Sequence, residues 1–577
     1  MISGKQLESI LIKSNLLKKE ELERLKAKTK SSDVSLQELI LKEKIVPEQT
    51  LFETIATSFK LPFIDLKNQT IRKDILTILP EPIVQTHKLI VFDKTDNTLK
   101  IATLDPNDLE TFEFIKKKTG QELDIHITTP SGINDAIKQF HKGIKAKFAE
   151  FTEEKKPEEK AREEKDLKEL AQDLPVIRIV DTLLEYAIFE NASDIHIEPT
   201  EKEVIVRYRI DGILRQVMTL PKKIQNGVVA RIKILSNLKL DEHRLPQDGR
   251  FKVETDEYKV AFRVSIMPIY DGEKIVLRLL NESAQVLTLE QLGLLANPLD
   301  IIKRNIKAPH GIILVTGPTG SGKTTTLYTI LNILNSPGVN IATIEDPIEY
   351  RITHINQSQI NPKIGFSFSA GLRSILRQDP DIVMVGEIRD KETAEIASHA
   401  AMTGHLVLST LHTNDAVGAP TRMSEMNVPS FLIASTTNLV IAQRLVRRIC
   451  PYCIMSYNLT KTQIEELRKD VDVDQILKTL EREEAIQSAS LPLKDLLFFK
   501  GRGCKKCNNE GYKGRIGIYE VLEITPQIAD LLLNKASEEK VTKAAHEHNM
   551  ISILEDGFIK AKNGITTIEE ILRVTKE

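Results

Sequence analysis

The chain has 577 residues, too many for one hydrophobic core and enough for about four domains of ~150 residues. Lys and Arg number 80 against 82 Asp and Glu, a formal net charge of −2, so there is no overall field for holding a polyanion and a general nucleic-acid binder is disfavoured. Aromatic residues make up 5% with no Trp, which leaves little for stacking single strands, and no apolar run approaches the ~20 residues of a membrane span.

The opening MISGKQLESILIKSN breaks its apolar positions with polar ones and offers no small-residue cleavage site, so no secretory signal is expected. The first 60 residues repeat at an offset of 29: Leu7, Ile10, Leu11, Leu16, Leu17 and Leu22 recur as Leu36, Leu39, Ile40, Ile45, Val46 and Leu51. Steps of three and four predict a duplicated pair of short helices, each with one apolar stripe. Residues 61–141 mix strand-like runs (KLIVF, LKIATL, LDIHITT) with helical stretches and turn clusters, a small α/β unit that completes an N-terminal domain over 1–141. From His141 to Leu170 nine basic and nine acidic residues fill thirty positions, so 142–172 is expected to be a charged linker that lets this domain move.

Globular patterning resumes at 173. A helix over Val176–Phe189 leads to DIHIEP, then to the alternating VIVRYRI ending at the turn Asp211-Gly212. A helix around Val228–Leu240 and the strands RFKVE, YKVAFRVSIMP and EKIVLRLL complete a second α/β domain over 173–285. Past 290, apolar strands alternate with helices, the pattern of a parallel sheet covered on both faces.

GIILVTGPTGSGKTTTLYTILNIL carries the strongest signal. Gly317, Pro318, Thr319, Gly320, Ser321, Gly322, Lys323 and Thr324 match GxxxxGK[ST], with an apolar strand before them and a periodic helix from Thr325 onward. Glycines let backbone N–H groups close around phosphate at a helix N-terminus. Lys323 reaches the β- and γ-phosphates, and the Thr324 hydroxyl suits Mg²⁺. Downstream, IATIEDPIEY brings Glu345, Asp346 and Glu349 after an apolar strand. Glu345 or Asp346 also suits capping of the turn at Pro347. DPDIVMVGEIRD has a second strand ending near Glu387, and TGHLVLSTLHT sets His405 and His412 at the two ends of a third.

The order phosphate loop, acidic box, strand-Glu, histidine box resembles the secretion ATPases, and more narrowly those of type II secretion and type IV pilus assembly. DIHIEP, RLPQDGRF, RVSIMP and GEKIVLRLL resemble that family's second N-terminal domain. The resemblance implies an α/β fold: a RecA-like ATPase domain over 286–577, preceded by a small PAS-like α/β domain and joined to it by a hinge near 285–290. It implies ATP and Mg²⁺ as ligands, Glu349 as the base that activates water, and Glu387 holding Mg²⁺ through water. His405 and His412 would sense the γ-phosphate and subunit contacts, and Arg263 and Arg278 would be the arginines offered to the nucleotide.

Cys450 and Cys453, then Cys504 and Cys507, form two CxxC pairs about fifty residues apart, and they are all the cysteines of the chain. Two such knuckles can close a tetrahedral structural Zn²⁺ site with no open position. A zinc lobe over 445–515 is expected, protruding because its spacer is helical and charged. In the resembling family this element marks pilus-extension and type II secretion ATPases rather than retraction ATPases.

Relatives with the N-terminal helical repeat bind cyclic di-GMP through Arg, Gly and Gln positions. Here Gln6 and Asn15 stand where an arginine and a glycine belong, and Lys44 where the second copy has glycine, so protein docking is expected of this region. The resemblance as a whole implies a homo-hexameric cytoplasmic motor, peripheral to the inner membrane, that works on a platform protein there to assemble a type IV pilus. A type II secretion ATPase is the alternative, and an ATP-binding scaffold without turnover or a DNA-translocating motor are more distant ones.

Overall fold

The computed structural model describes residues 4–136, 174–254, 259–281 and 287–576, apart from 15, 18–20, 23, 24, 26–35, 44, 68, 70, 77, 80–82, 85, 86 and 96. Asn15, Lys44, the charged stretch 142–172 and the start of the expected hinge lie outside them. The chain divides into two compact units, one of 1–210, 214–251 and 264–278, the other of 211–213, 252–263 and 279–577. Among the described residues no helix is long and apolar enough to cross a membrane.

In the first unit the helices Gly4–Lys13, Leu36–Lys42 and Glu48–Phe59 turn the repeated apolar frame inward. Ile10 and Leu39, Leu11 and Ile40, Leu17 and Val46, and Leu22 and Leu51 are buried in both copies. A three-stranded sheet follows, with Leu89–Lys94 antiparallel to Thr98–Thr103 and the latter parallel to Glu122–Ile127. The six-stranded sheet is ordered Ile213–Pro221, Glu203–Ile210, Asp194–Pro199, Gly272–Asn281, Lys259–Ile269, Gln247–Glu254. Val204, Val206 and Tyr208 alternate into its core, and the Tyr208 hydroxyl donates to the Leu183 carbonyl of helix Leu174–Phe189 at 2.7 Å. The three-stranded unit is also held to that helix: Phe114 packs on Phe189 with ring centroids 4.4 Å apart, and Lys118 pairs with Glu185.

The second unit is built on a seven-stranded sheet ordered Asn356–Gln359, Ile341–Glu345, Ile382–Val385, Leu406–Leu411, Gly311–Thr316, Thr437–Ile449, Tyr512–Glu523. The first six are parallel and the last is antiparallel. Every residue of Gly311–Thr316 is buried, because helices cover both faces: Ile312 and Leu314 enter one core, Ile313 and Val315 the other. Parallel strands align their carboxyl ends along one edge, and this edge carries the functional side chains.

The segment between the cysteine pairs differs from its expected form. Helix Val473–Arg482 turns Val473, Ile476, Leu477 and Leu480 into a core shared with Ile551, Phe558, Ile559, Ile568 and Ile571 from the C-terminal helices. Its charges sit on one face only, and the opposite apolar stripe packs against the C-terminal helices.

Candidate functional site

Strand Gly311–Thr316 gives way to the loop at Gly317, and helix Lys323–Leu334 begins six residues after that glycine. Gly317, Gly320 and Gly322 take φ of +143°, +82° and +90°, conformations that side chains with a Cβ rarely adopt. At Gly317 space also demands glycine, since a Cβ would lie 2.5 Å from the Gln443 carbonyl. Gly322 caps the helix without a side-chain acceptor, so the first-turn N–H groups are left for a ligand, as a phosphate site requires. Pro318, Thr319 and Gly320 form the exposed crest, Ser321 is buried beneath it, and Thr324 and Thr325 face outward from the first helical turn. Lys323 folds over the loop, its Nζ donating to the Gly317 and Pro318 carbonyls at 2.8 and 3.0 Å. Burial pushes this ammonium down to about 8 against the pull of the Glu387 carboxylate.

The loop opens onto a cavity of about 140 Å³ lined by Lys323, Thr324, Asp346, Glu349, Glu387, His412 and neighbours. Sheet topology explains the convergence: Glu345 ends one strand, Glu387 follows Val385 on the next, and His412 follows Leu411 on the third. Glu387 is bridged on one side by Arg389 at 2.6 Å and lies 3.4 Å from His412 Nε2 on the other. A hydroxyl (Thr324) and a carboxylate (Glu387) facing one cavity beside an anion cradle are the hard oxygen donors that Mg²⁺ takes when bound with a polyphosphate. Asp390 is drawn away to cap helix Lys391–Met402, accepting from the Thr393 N–H at 2.8 Å.

Three expected residues stand elsewhere. His405 lies at the amino end of Leu406–Leu411, its Nδ1 2.9 Å from the Ala400 carbonyl, and does not line the cavity. The intervening strand separates it from His412, seven residues on, by about 23 Å at ~3.3 Å per residue. Arg263 is exposed on Lys259–Ile269, and Arg278 sits on Gly272–Asn281 with its Nε 3.0 Å from the buried Asp194 carboxylate.

Other contributors went unrecognised in the sequence. Glu345 caps no turn: it is buried, and Tyr328, Thr343 and Gln357 donate to it. Gln443, on the strand beside the loop, accepts from Thr326 Oγ1 and donates to the Ser321 carbonyl, both at 2.7 Å. A buried Tyr hydroxyl or Gln amide must find partners, so a Tyr inside the apolar stripe of TTTLYTIL and a Gln inside LVIAQRLV are the signals that could have found them.

The four cysteines come together, with ligand atoms all within 4.8 Å of one another. Cys450–Cys504, Cys453–Cys507 and Cys504–Cys507 sulfur separations are 3.7, 3.8 and 3.7 Å. Tetrahedral bonds of ~2.3 Å to one Zn²⁺ set sulfurs about 3.8 Å apart, so the donor set fits that ion. N–H groups of Cys504 and Gly511 each lie 3.2 Å from Cys507 Sγ; burial pushes that thiol up, but these bonds pull it below the usual cysteine value.

A phosphate loop on a central parallel strand, with carboxylates and a histidine at the ends of its neighbours, defines a RecA-like phosphate-loop ATPase. A family model described as Type II/IV secretion system protein matches residues 169–573, and an MshEN domain model matches 59–146. The chain belongs to the type II/IV secretion system protein family. Type IV pilus assembly ATPase PilB of Myxococcus xanthus is 38% identical over 99% of both chains. PilB of Pseudomonas aeruginosa is 35% identical over 98% of both, and type II secretion system ATPase E of Vibrio cholerae is 46% identical over 73% of this chain and 79% of that one.

Proposed function

We propose that the protein hydrolyses ATP as a homo-hexamer to drive type IV pilus assembly, acting on a platform protein of the inner membrane from the cytoplasmic side. The observation that carries the ATPase reading is one cavity lined by Lys323, Thr324, Glu349, Glu387 and His412 at the carboxyl edge of the sheet. The pilus reading is favoured over type II secretion by extent. Similarity to pilus assembly ATPases runs through the N-terminal domain to 99% of the chain, whereas that to the type II secretion ATPase covers 73%.

In this reading the β- and γ-phosphates rest on the N–H groups at the start of Lys323–Leu334, with Lys323 released from its carbonyl partners to meet them. Thr324 and Glu387 would hold Mg²⁺, which when bound would supply positive charge to the phosphoryl oxygens. Glu349 takes the proton of the attacking water. His412, beside Glu387, registers the γ-phosphate, His405 serves a subunit contact at the far end of its strand, and Arg263 and Arg278 supply positive charge to a nucleotide. Zn²⁺ on the four cysteines is structural.

Phosphate release measured at rising protein concentration tests this, with Lys323→Ala and Glu349→Gln alongside. Specific activity that climbs with concentration and vanishes in both variants is expected. Turnover independent of concentration would refute the assembled motor, and turnover that survives Glu349→Gln would refute the assigned base.

A further inference from the structure

A general base works only if it is held in register with the phosphate it serves, and a misplacement of 1 Å can cost on the order of 10² in rate. Glu349 lies in the segment between strands Ile341–Glu345 and Asn356–Gln359, with no helix or strand of its own. Its register must come from side chains that reach it.

Tyr328 does this from the phosphate-loop helix. It stands five residues after Lys323, on the inner face of Lys323–Leu334, and its side chain is fully buried. Its hydroxyl donates to Glu345 Oε2 and accepts the Glu349 N–H at 3.4 Å. Gln357 holds the other flank: its Nε2 donates to the Tyr350 carbonyl at 3.1 Å and its Oε1 accepts the Ile352 N–H at 2.8 Å. The same Nε2 lies 3.2 Å from Glu345 Oε1, which also accepts from Thr343 Oγ1 at 2.5 Å. The Tyr350 ring meets the Tyr328 ring edge-on, centroids 4.6 Å apart.

A hydroxyl has one proton. With that proton committed to Glu345, the oxygen's lone pairs are left for the Glu349 N–H and Gln357 Nε2, each at 3.4 Å, so Glu345 sets the direction in which Tyr328 is read. Burying a carboxylate among neutral donors is costly, and an apolar residue of the same size would pack there without that penalty.

We infer that Tyr328 and Glu345 are positioning residues that fix the segment carrying Glu349 to the phosphate-loop helix, so that the base and the bound phosphates move as one body. The inference rests on Glu349 being the base. It predicts a defect in turnover with binding intact: Tyr328 does not line the cavity, and Glu345, which does, has both oxygens engaged by Tyr328, Thr343 and Gln357, which leaves Lys323, Thr324 and the helix N-terminus to meet the phosphates.

The test uses the full chain, with ATP hydrolysis, affinity for a fluorescent ATP analogue and thermal unfolding measured on each variant. Tyr328→Phe deletes only the hydroxyl and should lower kcat by about ten- to a hundred-fold, with nucleotide affinity within threefold and an unchanged melting profile. Glu345→Gln keeps the volume but turns one acceptor into a donor, and should lower kcat in the same manner. Because both act through one segment, the double variant should be no slower than the worse single one. A kcat for Tyr328→Phe within twofold of the parent would overturn the inference, as would losses that merely track weaker nucleotide binding or a fall in folded protein. Should Tyr328→Phe fold poorly, Glu345→Gln carries the same comparison. If Glu349→Gln is inactive while Tyr328→Phe is normal, only the positioning role falls. If Glu349→Gln turns over normally, the base assignment falls first.

Discussion

Gln443 pins the phosphate loop from below, and replacing it isolates what that support contributes. Gln443→Met keeps the length and apolar stem but removes both polar atoms at a site only 2% exposed. The Ser321 carbonyl loses its 2.7 Å donor and the Thr326 hydroxyl loses its 2.7 Å acceptor. Each buried group left unsatisfied costs about 1–3 kcal/mol. Thr326 can turn back onto the Gly322 carbonyl four residues earlier, so the Ser321 carbonyl bears most of the loss and the total is about 1–3 kcal/mol. If about 2 kcal/mol of this falls on the ordering of residues 317–322, ATP affinity drops roughly 30-fold, at 1.4 kcal/mol per factor of ten. Equilibrium titration with a fluorescent ATP analogue, paired with thermal unfolding, measures both parts. Thr326→Val, which breaks one of the two bonds, should lose less than half as much. An affinity within twofold of the parent, with an unchanged melting midpoint, would refute the tie.

The tetracysteine site should hold one zinc per chain by elemental analysis. Cys504→Ser should lose it and lower the melting temperature of the region around 445–515 and 551–571; full zinc-free protein with an identical melting curve would contradict the site. In the first unit, His87 Nδ1 lies 2.8 Å from Asp108, with Glu190 3.9 Å from Nε2. Burial alone would lower its pKa, but the two carboxylates raise it from 6.5 to about 9. A folded-state pKa above the unfolded value gives stability that is fully present below about 6.5 and is lost as pH rises through about 9. Melting curves of the N-terminal unit should therefore fall over that window and flatten in His87→Gln; parallel curves would exclude this pairing as the cause.

Much of the chemistry was legible along the chain because it is local. The phosphate loop needs glycines, a lysine and a hydroxyl at fixed spacing between one strand and one helix, and Gly317–Thr324 supply them in eight consecutive residues. The paired cysteines and the repeated leucine frame are of the same kind: short spacing rules imposed by a ligand or a helix period. The meeting of Glu349, Glu387 and His412 in one cavity was not written in any single stretch. It follows from parallel strand order, which aligns the carboxyl ends of segments some forty and sixty residues apart. The same topology carries His405 to the opposite end, although it is only seven residues from His412. Nor could the sequence assign Glu345, Tyr328 or Gln443, whose roles come from hydrogen bonds to partners brought close by the fold. The charge of the spacer concealed the apolar stripe of Val473, Ile476, Leu477 and Leu480 until the C-terminal helices showed what it packs against. By itself the sequence determined which groups are available and the local shape each segment prefers. The tertiary structure decided which of them meet, because contact between distant segments depends on strand order and core packing rather than on distance along the chain.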